Sequence, residues 1–321
     1  MTASNSAQES AIKIRDLRVD YGEFVAVNDI SLEVPYGEVF GMVGPNGAGK
    51  TSTFKVLATL MEPTYGEVSL AGIDIMEHTE DAREILGYMP DLAPVPSDLK
   101  LWEFLAFHAD THRLGNRRQR LERVDECLEI VNLTEKRSAW CKHLSRGQTQ
   151  RLVLAKTLLH QPKVLILDEP ASGLDPLSRR EMRHALQNLA RSGATVLVSS
   201  HILSELAEMC STMCIMNQGR ILGSGTAEDL RRTLGRTERA LTAVVLENAE
   251  ALREWLNGRD GVGEIRADGK RVIFGYSGDD ASQARLLTEL ATAGLGLKSF
   301  KEEESSFEEI LVQVAEGNRE P

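Results

Sequence analysis

The 321 residues carry 42% hydrophobic and 26% charged side chains, which supports a substantial core, excludes wholesale disorder and, at this length, predicts one large domain plus a smaller one. With 37 Lys and Arg against 48 Asp and Glu, the net charge of −11 is opposite in sign to what a phosphate backbone attracts, so no nucleic-acid partner is expected. No window reaches the ~20 apolar residues of a bilayer span, and Met1 to Ser10 lacks the apolar stretch of a signal peptide, so a soluble cytoplasmic chain is expected.

In chain order, Ile12 and Ile14, Leu17 and Val19, then Ile30, Leu32 and Val34 alternate with polar residues, and this period predicts an antiparallel layer with one half-exposed face. Val39 to Val43, Val164 to Leu167 and Thr195 to Val198 are continuous apolar runs, as parallel strands buried on both faces require. From 98 to 160 helical spacing replaces alternation, as in Leu101/Leu105 and Leu121/Val124/Leu128, so a helical subdomain over about 92–160, with its tip at Arg117 to Arg120, is inserted in an α/β domain spanning 11–233. Cys127, Cys141, Cys210 and Cys214 are too few and scattered for a disulfide framework and are expected as thiols. Cys210 and Cys214, four apart, read as two positions on one face of a helix, without the His or second Cys pair of a metal site.

Residues 236–321 hold 11 Lys and Arg against 17 Asp and Glu and form a separate acidic unit. They read as strand (Leu241 to Leu246), helix (Glu250 to Leu256), a hairpin turning at Asp268-Gly269 between Ile265 and Val272 to Tyr276, helix (Ala281 to Ala293) and strand (Leu297 to Phe300), the βαββαβ order of a ferredoxin-like α+β domain. Phe307, Ile310, Leu311 and Val314 then have the spacing of an amphipathic closing helix.

Gly44-Pro45-Asn46-Gly47-Ala48-Gly49-Lys50-Thr51 fits G-x-x-x-x-G-K-[ST] between an apolar strand and a helical run from Ser52 to Leu60. Its glycines let amides wrap a phosphate, the helix end adds positive potential, Lys50 reaches the β and γ phosphates, and Thr51 is a Mg²⁺ ligand. Asp168 and Glu169 end a buried strand, where ligands of open α/β sheets collect. Asp168 suits Mg²⁺ and Glu169 suits a general base for the attacking water. His201 ends a further buried strand at the same edge. Ser145 and Gln148 are spaced as a capping box ahead of a helix, which reads equally as helix punctuation and as a second phosphate cradle.

With these residues in place, the stretch from 11 to 230 resembles the nucleotide-binding subunit of ATP-binding cassette transporters, a P-loop NTPase fold. The resemblance makes Tyr21 the aromatic stacked on adenine, Gly44 to Thr51 with the adjoining Ser52 the phosphate loop, and Ser145, Gly147 and Gln148 the signature. Asp168 and Glu169 become the metal and catalytic carboxylates, Ser172 to Asp175 the loop between sites, and His201 the switch histidine. It implies ATP and Mg²⁺ as cofactors, a head-to-tail dimer in which each signature completes the other chain's site, and a separately encoded integral membrane permease that holds the subunit at the cytoplasmic face. Two positions depart from the family pattern: Arg146 stands where the signature usually has Gly, and Asp91, a nucleotide and metal contact by the resemblance, stands where the switch loop usually has Gln. These departures and the acidic tail resemble the branch of drug, lipid and polysaccharide exporters. The permease is expected near Asp91 to Trp102, where Leu92, Val95, Leu99 and Trp102 offer either docking contacts or subdomain core. The alternatives are a non-transport cassette ATPase acting on a macromolecular complex and a regulatory module without turnover. Against the first stands the lack of a second cassette or long coiled coil, and against the second stand Glu169 and His201.

Overall fold

The computed structural model describes residues 10–233, 239–247 and 249–303. By contact density the chain divides into two compact units, Met1–Ala227 and Glu228–Pro321. The first unit opens with β1 (Ser10–Tyr21), β2 (Phe24–Pro35) and β3 (Val39–Val43), then α1 (Lys50–Leu57), β4 (Tyr65–Leu70), β5 (Ile73–Asp74), α2 (Thr79–Ile85) and β6 (Leu86–Met89). Three helices follow, α3 (Leu101–Thr111), α4 (Arg117–Ile130) and α5 (Arg146–Thr157). The α/β alternation then resumes with β7 (Val164–Leu167), α6 (Pro176–Arg191), β8 (Thr195–Ser200), α7 (Leu203–Met209), β9 (Thr212–Asn217) and β10 (Arg220–Gly225). Helix α8 (Ala227–Thr233) begins at the division.

Two sheets result. One is antiparallel in the order β2-β1-β4-β5, and its alternation turns Ile12, Ile14, Leu17 and Val19 inward. The other runs β10-β9-β3-β8-β7-β6, parallel from β9 to β6 with β10 antiparallel at the edge. All of β3, β7 and β8 is buried, which explains their lack of polar alternation. Phe54, Val56 and Leu57 of α1 share one core with the antiparallel sheet and with Phe40, Met42 and Ile166 of the parallel one. Each such fully buried side chain contributes roughly 1.5–3 kcal/mol of transfer free energy. Burying Leu101, Phe104 and Leu105 of α3 with Val124 and Leu128 of α4 gives the inserted helices their own apolar seam. Arg117 to Arg120 open α4, behind an Asn116 N-cap whose side chain accepts from the amides of Arg118 and Gln119.

Local expectations shift in three places. The first helix starts at Lys50, two residues before Ser52, because left-handed Gly49 already turns the chain into it. Strand β8 runs through Ser199 and Ser200 as expected but stops there, so His201 follows the strand rather than ending it. Cys210 and Cys214 do not share a helix: Cys210 ends α7 as its C-cap and Cys214 lies inside β9. All four thiols are free, and burial pushes Cys127 up to about 11 and Cys214 up to about 12, as for inert packing residues.

The second unit contains β11 (Arg239–Val245), α9 (Ala249–Leu256), β12 (Val262–Asp268), β13 (Arg271–Tyr276), α10 (Asp280–Thr292) and β14 (Leu297–Glu303). Its strands are antiparallel in the order β12-β13-β11-β14. Asp268 pairs with Arg271 across a turn in which Gly269 takes φ +58°. Leu241, Val245, Phe274, Leu252 and Leu290 belong to a core of this unit's own. The amphipathic stretch Phe307 to Val314 lies outside the described residues.

Candidate functional site

Four adjacent strands, β3, β8, β7 and β6, are parallel, so their carboxyl ends meet at one edge of the sheet. From them emerge the glycine loop, His201, the Asp168-Glu169 pair and Asp91. The pocket at this edge, about 340 Å³, is lined by Tyr21, Phe24 and Ala26, by Asn46, Gly47, Ala48, Gly49, Lys50, Thr51 and Ser52, and by Asp91, Glu169, Ser172 and His201.

Two glycines in the loop admit no side chain. A Cβ on Gly44 would lie 2.2 Å from the Met216 carbonyl oxygen, and one on Gly49, at φ +106°, would lie 2.4 Å from that of Ala26. The Gly44 amide donates to the Ser200 oxygen at 3.3 Å, tying the loop to β8. Having glycine as its N-cap, α1 carries no side-chain cap, so its first amides stay available to an anion. Lys50 is only 5% exposed. Its Nζ donates to the oxygens of Gly44 at 2.7 Å and Pro45 at 3.2 Å and lies 3.7 Å from Glu169 Oε1. Burial pulls this ammonium below its ordinary pKa, against Glu169 and Asp168, which favour the charged form.

Ser199 organises the carboxylates. Its Oγ donates to Asp168 Oδ1 at 2.6 Å and accepts the Glu169 amide at 2.9 Å. Glu169 adopts φ +51°, a left-handed conformation that costs a β-carbon residue about 1 kcal/mol or more. Its Oε2 lies 2.7 Å from His201 Nδ1. Asp168, 2% exposed, sits behind the pocket wall rather than on it. The main-chain oxygen of Asp91 accepts Gln150 Nε2 at 3.1 Å. Burial, then the charges of Glu169 and Asp168, raise the Asp91 carboxyl above its usual value, while Arg146 and His201 oppose them. Among the described residues no cluster of three or more His, Cys, Asp or Glu forms a protein-only metal cage. The hard oxygen donors of Thr51, Asp91 and Asp168 suit Mg²⁺ arriving with phosphates and water.

The signature residues are not brought into this pocket. Ser145 caps α5 in a closed capping box: its Oγ accepts the Gln148 amide at 3.3 Å, and its own amide donates to Gln148 Oε1 at 3.1 Å. Gly147 is pressed against α6, where a Cβ would lie 2.2 Å from Ser178 Oγ. The Arg146 guanidinium covers Gly173, whose hypothetical Cβ would lie 2.5 Å from Nη1. Phe24, Ala26 and Ser199 escaped the sequence reading, whereas Ser172 opens the loop that the resemblance sets between sites and lines the pocket. Of the three that escaped, only Phe24 left a signal in the sequence, as an aromatic at a turn two residues after Gly22.

A family model described as ABC transporter matches residues 27–172, and an AAA-domain model matches residues 141–207. The chain is 35% identical over 224 residues to Nod factor export ATP-binding protein I of Cupriavidus pinatubonensis, covering 70% of this chain and 69% of that protein. To the "Uncharacterized ABC transporter ATP-binding protein YxlF" of Bacillus subtilis it is 32% identical over 304 residues, covering 94% and 99%. Against the "Probable multidrug ABC transporter ATP-binding protein YbhF" of Escherichia coli it is 34% identical over 254 residues, 79% of this chain, and spans 44% of that longer protein. A solved ATP-binding subunit of an ABC transporter superposes with TM-score 0.63 at 30% identity, covering 70% of this chain and 94% of that one. The strand order, the loop between β3 and α1 and these likenesses agree: the chain belongs to the ABC transporter family, as an ATP-binding subunit built on the P-loop ATPase cassette.

Proposed function

We propose that this subunit binds two MgATP in a head-to-tail dimer, hydrolyses them, and thereby drives a separate membrane permease in the direction of export. The observation that carries the hydrolytic reading is the convergence of Lys50 and His201 on the two oxygens of Glu169. When a triphosphate occupies the pocket, Lys50 turns from the Gly44 and Pro45 oxygens to the phosphates. Glu169 then accepts the proton of the attacking water, and His201 holds that carboxylate and reaches the γ phosphate. Mg²⁺, bound through Thr51, Asp91 and Asp168, would offset charge on the β and γ oxygens.

Two features support a permease partner. A groove of about 550 Å³, lined among others by Leu92, Pro94, Leu144, Arg146 and Val153, shares Asp91 with the nucleotide pocket. Leu92 is 80% exposed there, and Val95, Leu99 and Trp102 are only partly buried. Among the described residues no helix is long and apolar enough to cross a membrane, so attachment at the cytoplasmic face would pass through the permease. The export direction rests on the relative named for Nod factor export. We assign residues 236–321 to a ferredoxin-like accessory domain on the strength of its strand order. Phosphate release by the purified chain, with gel filtration of Glu169→Gln with and without ATP, tests the reading. ATP-dependent dimerisation of that variant is expected, and a wild-type chain that binds ATP without turnover would reject it.

A further inference from the structure

Tyr21 and Phe24 are cross-strand partners on either side of the two-residue turn Gly22-Glu23. Partners in such a ladder project from the same face, with Cβ atoms roughly 4.5–5.5 Å apart, and Ala26 follows two residues along β2, where the ladder register shifts. All three line the nucleotide pocket beside Gly47 to Ser52. Neither ring belongs to the core: Tyr21 is 47% and Phe24 63% exposed. Tyr21 is steadied by its hydroxyl, which lies 3.4 Å from both Ser52 Oγ and Met61 Sδ. Phe24 has no polar handle. Its ring lies open to water at the mouth of a pocket whose floor is a phosphate loop.

We propose that Phe24 is a second aromatic contact for the base of the bound nucleotide, forming with Tyr21 a two-ring platform on the β1–β2 turn. This rests on the reading of the pocket as an ATP site and adds a residue to it. The wall made by Tyr21, Phe24 and Ala26 is largely apolar, so it grips a purine by its π face, an interaction indifferent to hydrogen-bonding edges. Covering the Phe24 ring with the base also removes apolar surface from water, which the nucleotide-free chain leaves exposed.

The test is isothermal titration of the full chain with ATP and, separately, with inorganic tripolyphosphate, which carries the phosphates without base or ribose. Phe24→Ala is expected to weaken ATP by about fivefold or more, leave tripolyphosphate within about twofold, and keep the wild-type melting temperature because the ring is exposed. Phe24→Tyr, retaining a π face, should bind ATP within about twofold of wild type. Unchanged ATP affinity in Phe24→Ala, or equal loss of both ligands, overturns the assignment. If Phe24 serves instead to join two chains, ATP affinity at concentrations where the chain is monomeric will not change, which also overturns it. A wild-type chain that binds tripolyphosphate but gains nothing from the base rejects both rings together. If the wild type binds neither ligand, the reading of the pocket itself falls.

Discussion

His201 Nδ1 lies 2.7 Å from Glu169 Oε2, a contact made between residues that leave the ends of the adjacent parallel strands β8 and β7. The other Glu169 oxygen faces Lys50 Nζ at 3.7 Å, so both ends of the carboxylate are oriented before any ligand arrives. Glu169→Gln keeps that shape and loses the ability to take a proton. Its MgATP affinity should stay within about threefold of wild type while phosphate release falls about 100-fold or more. His201→Ala should lose about 10- to 100-fold in turnover, because the base remains while its orientation and the contact proposed for the γ phosphate are lost. Turnover of Glu169→Gln within about tenfold of wild type would remove Glu169 from the base position.

The raised pKa of Asp91 has a consequence for stability. Its carboxyl is driven above its usual value of 3.8 by burial first and by Glu169 and Asp168 next. Folding therefore disfavours the ionised form, and the cost is present in full above the raised pKa. It fades as pH falls through that value toward 3.8, because protonation removes the charge. Asp91→Asn should thus stabilise the nucleotide-free chain at neutral pH, with the gain shrinking in acid. Denaturant midpoints measured between pH 7 and pH 4 check this, and a gain that grows toward acid contradicts it.

Gly147 and Ser178 define how closely α5 and α6 approach, since a Cβ at position 147 would lie 2.2 Å from Ser178 Oγ and 2.5 Å from its Cβ. Gly147→Ala should cost about 1–3 kcal/mol through overpacking. Ser178→Gly alone should also destabilise, because it removes the hydroxyl that donates to Asp175 Oδ2 at 2.6 Å. Combined, the two changes should be less harmful than their sum by about 1 kcal/mol. Urea unfolding of the four proteins measures this coupling, and strict additivity would show that the contact does not limit the approach.

The phosphate loop, the carboxylate pair and His201 were legible because each is a short run at the end of an apolar strand, and parallel strands deliver such runs to one edge. Ser199 was not: its bridge between Asp168 and the Glu169 amide depends on the register of β7 against β8, which no local pattern encodes. Phe24 needed the turn that pairs it with Tyr21. Gly147 enters the sequence reading through the signature that the resemblance implies, and its close approach to Ser178 depends on the crossing of two helices, which no local pattern encodes. The Cys210 and Cys214 spacing suggested one helix because a period of four is compatible with helix, whereas α7 stops at Met209 and β9 begins at Thr212.

The capping box at Ser145 bears on how many chains make a complete site. Within one chain Ser145, Gly147 and Gln148 are absent from the lining of the pocket that holds Lys50. If a second chain supplies them, Lys50→Ala on one chain and Ser145→Arg on the other fall in the same composite site, leaving the opposite site with an intact loop and an intact signature. Each homodimeric variant, by contrast, has both sites damaged. A mixed dimer purified through two different tags should therefore hydrolyse ATP faster than either homodimer, by about tenfold or more if one site can turn over alone. Counting nucleotide bound per dimer gives an independent readout, with one tight site expected in the mixed dimer. Should the mixed dimer match the homodimers in turnover and also retain no tight site, the signature acts within its own chain and the head-to-tail arrangement is wrong. A mixed dimer with one tight site and no turnover would retain that arrangement and show that hydrolysis requires both sites filled.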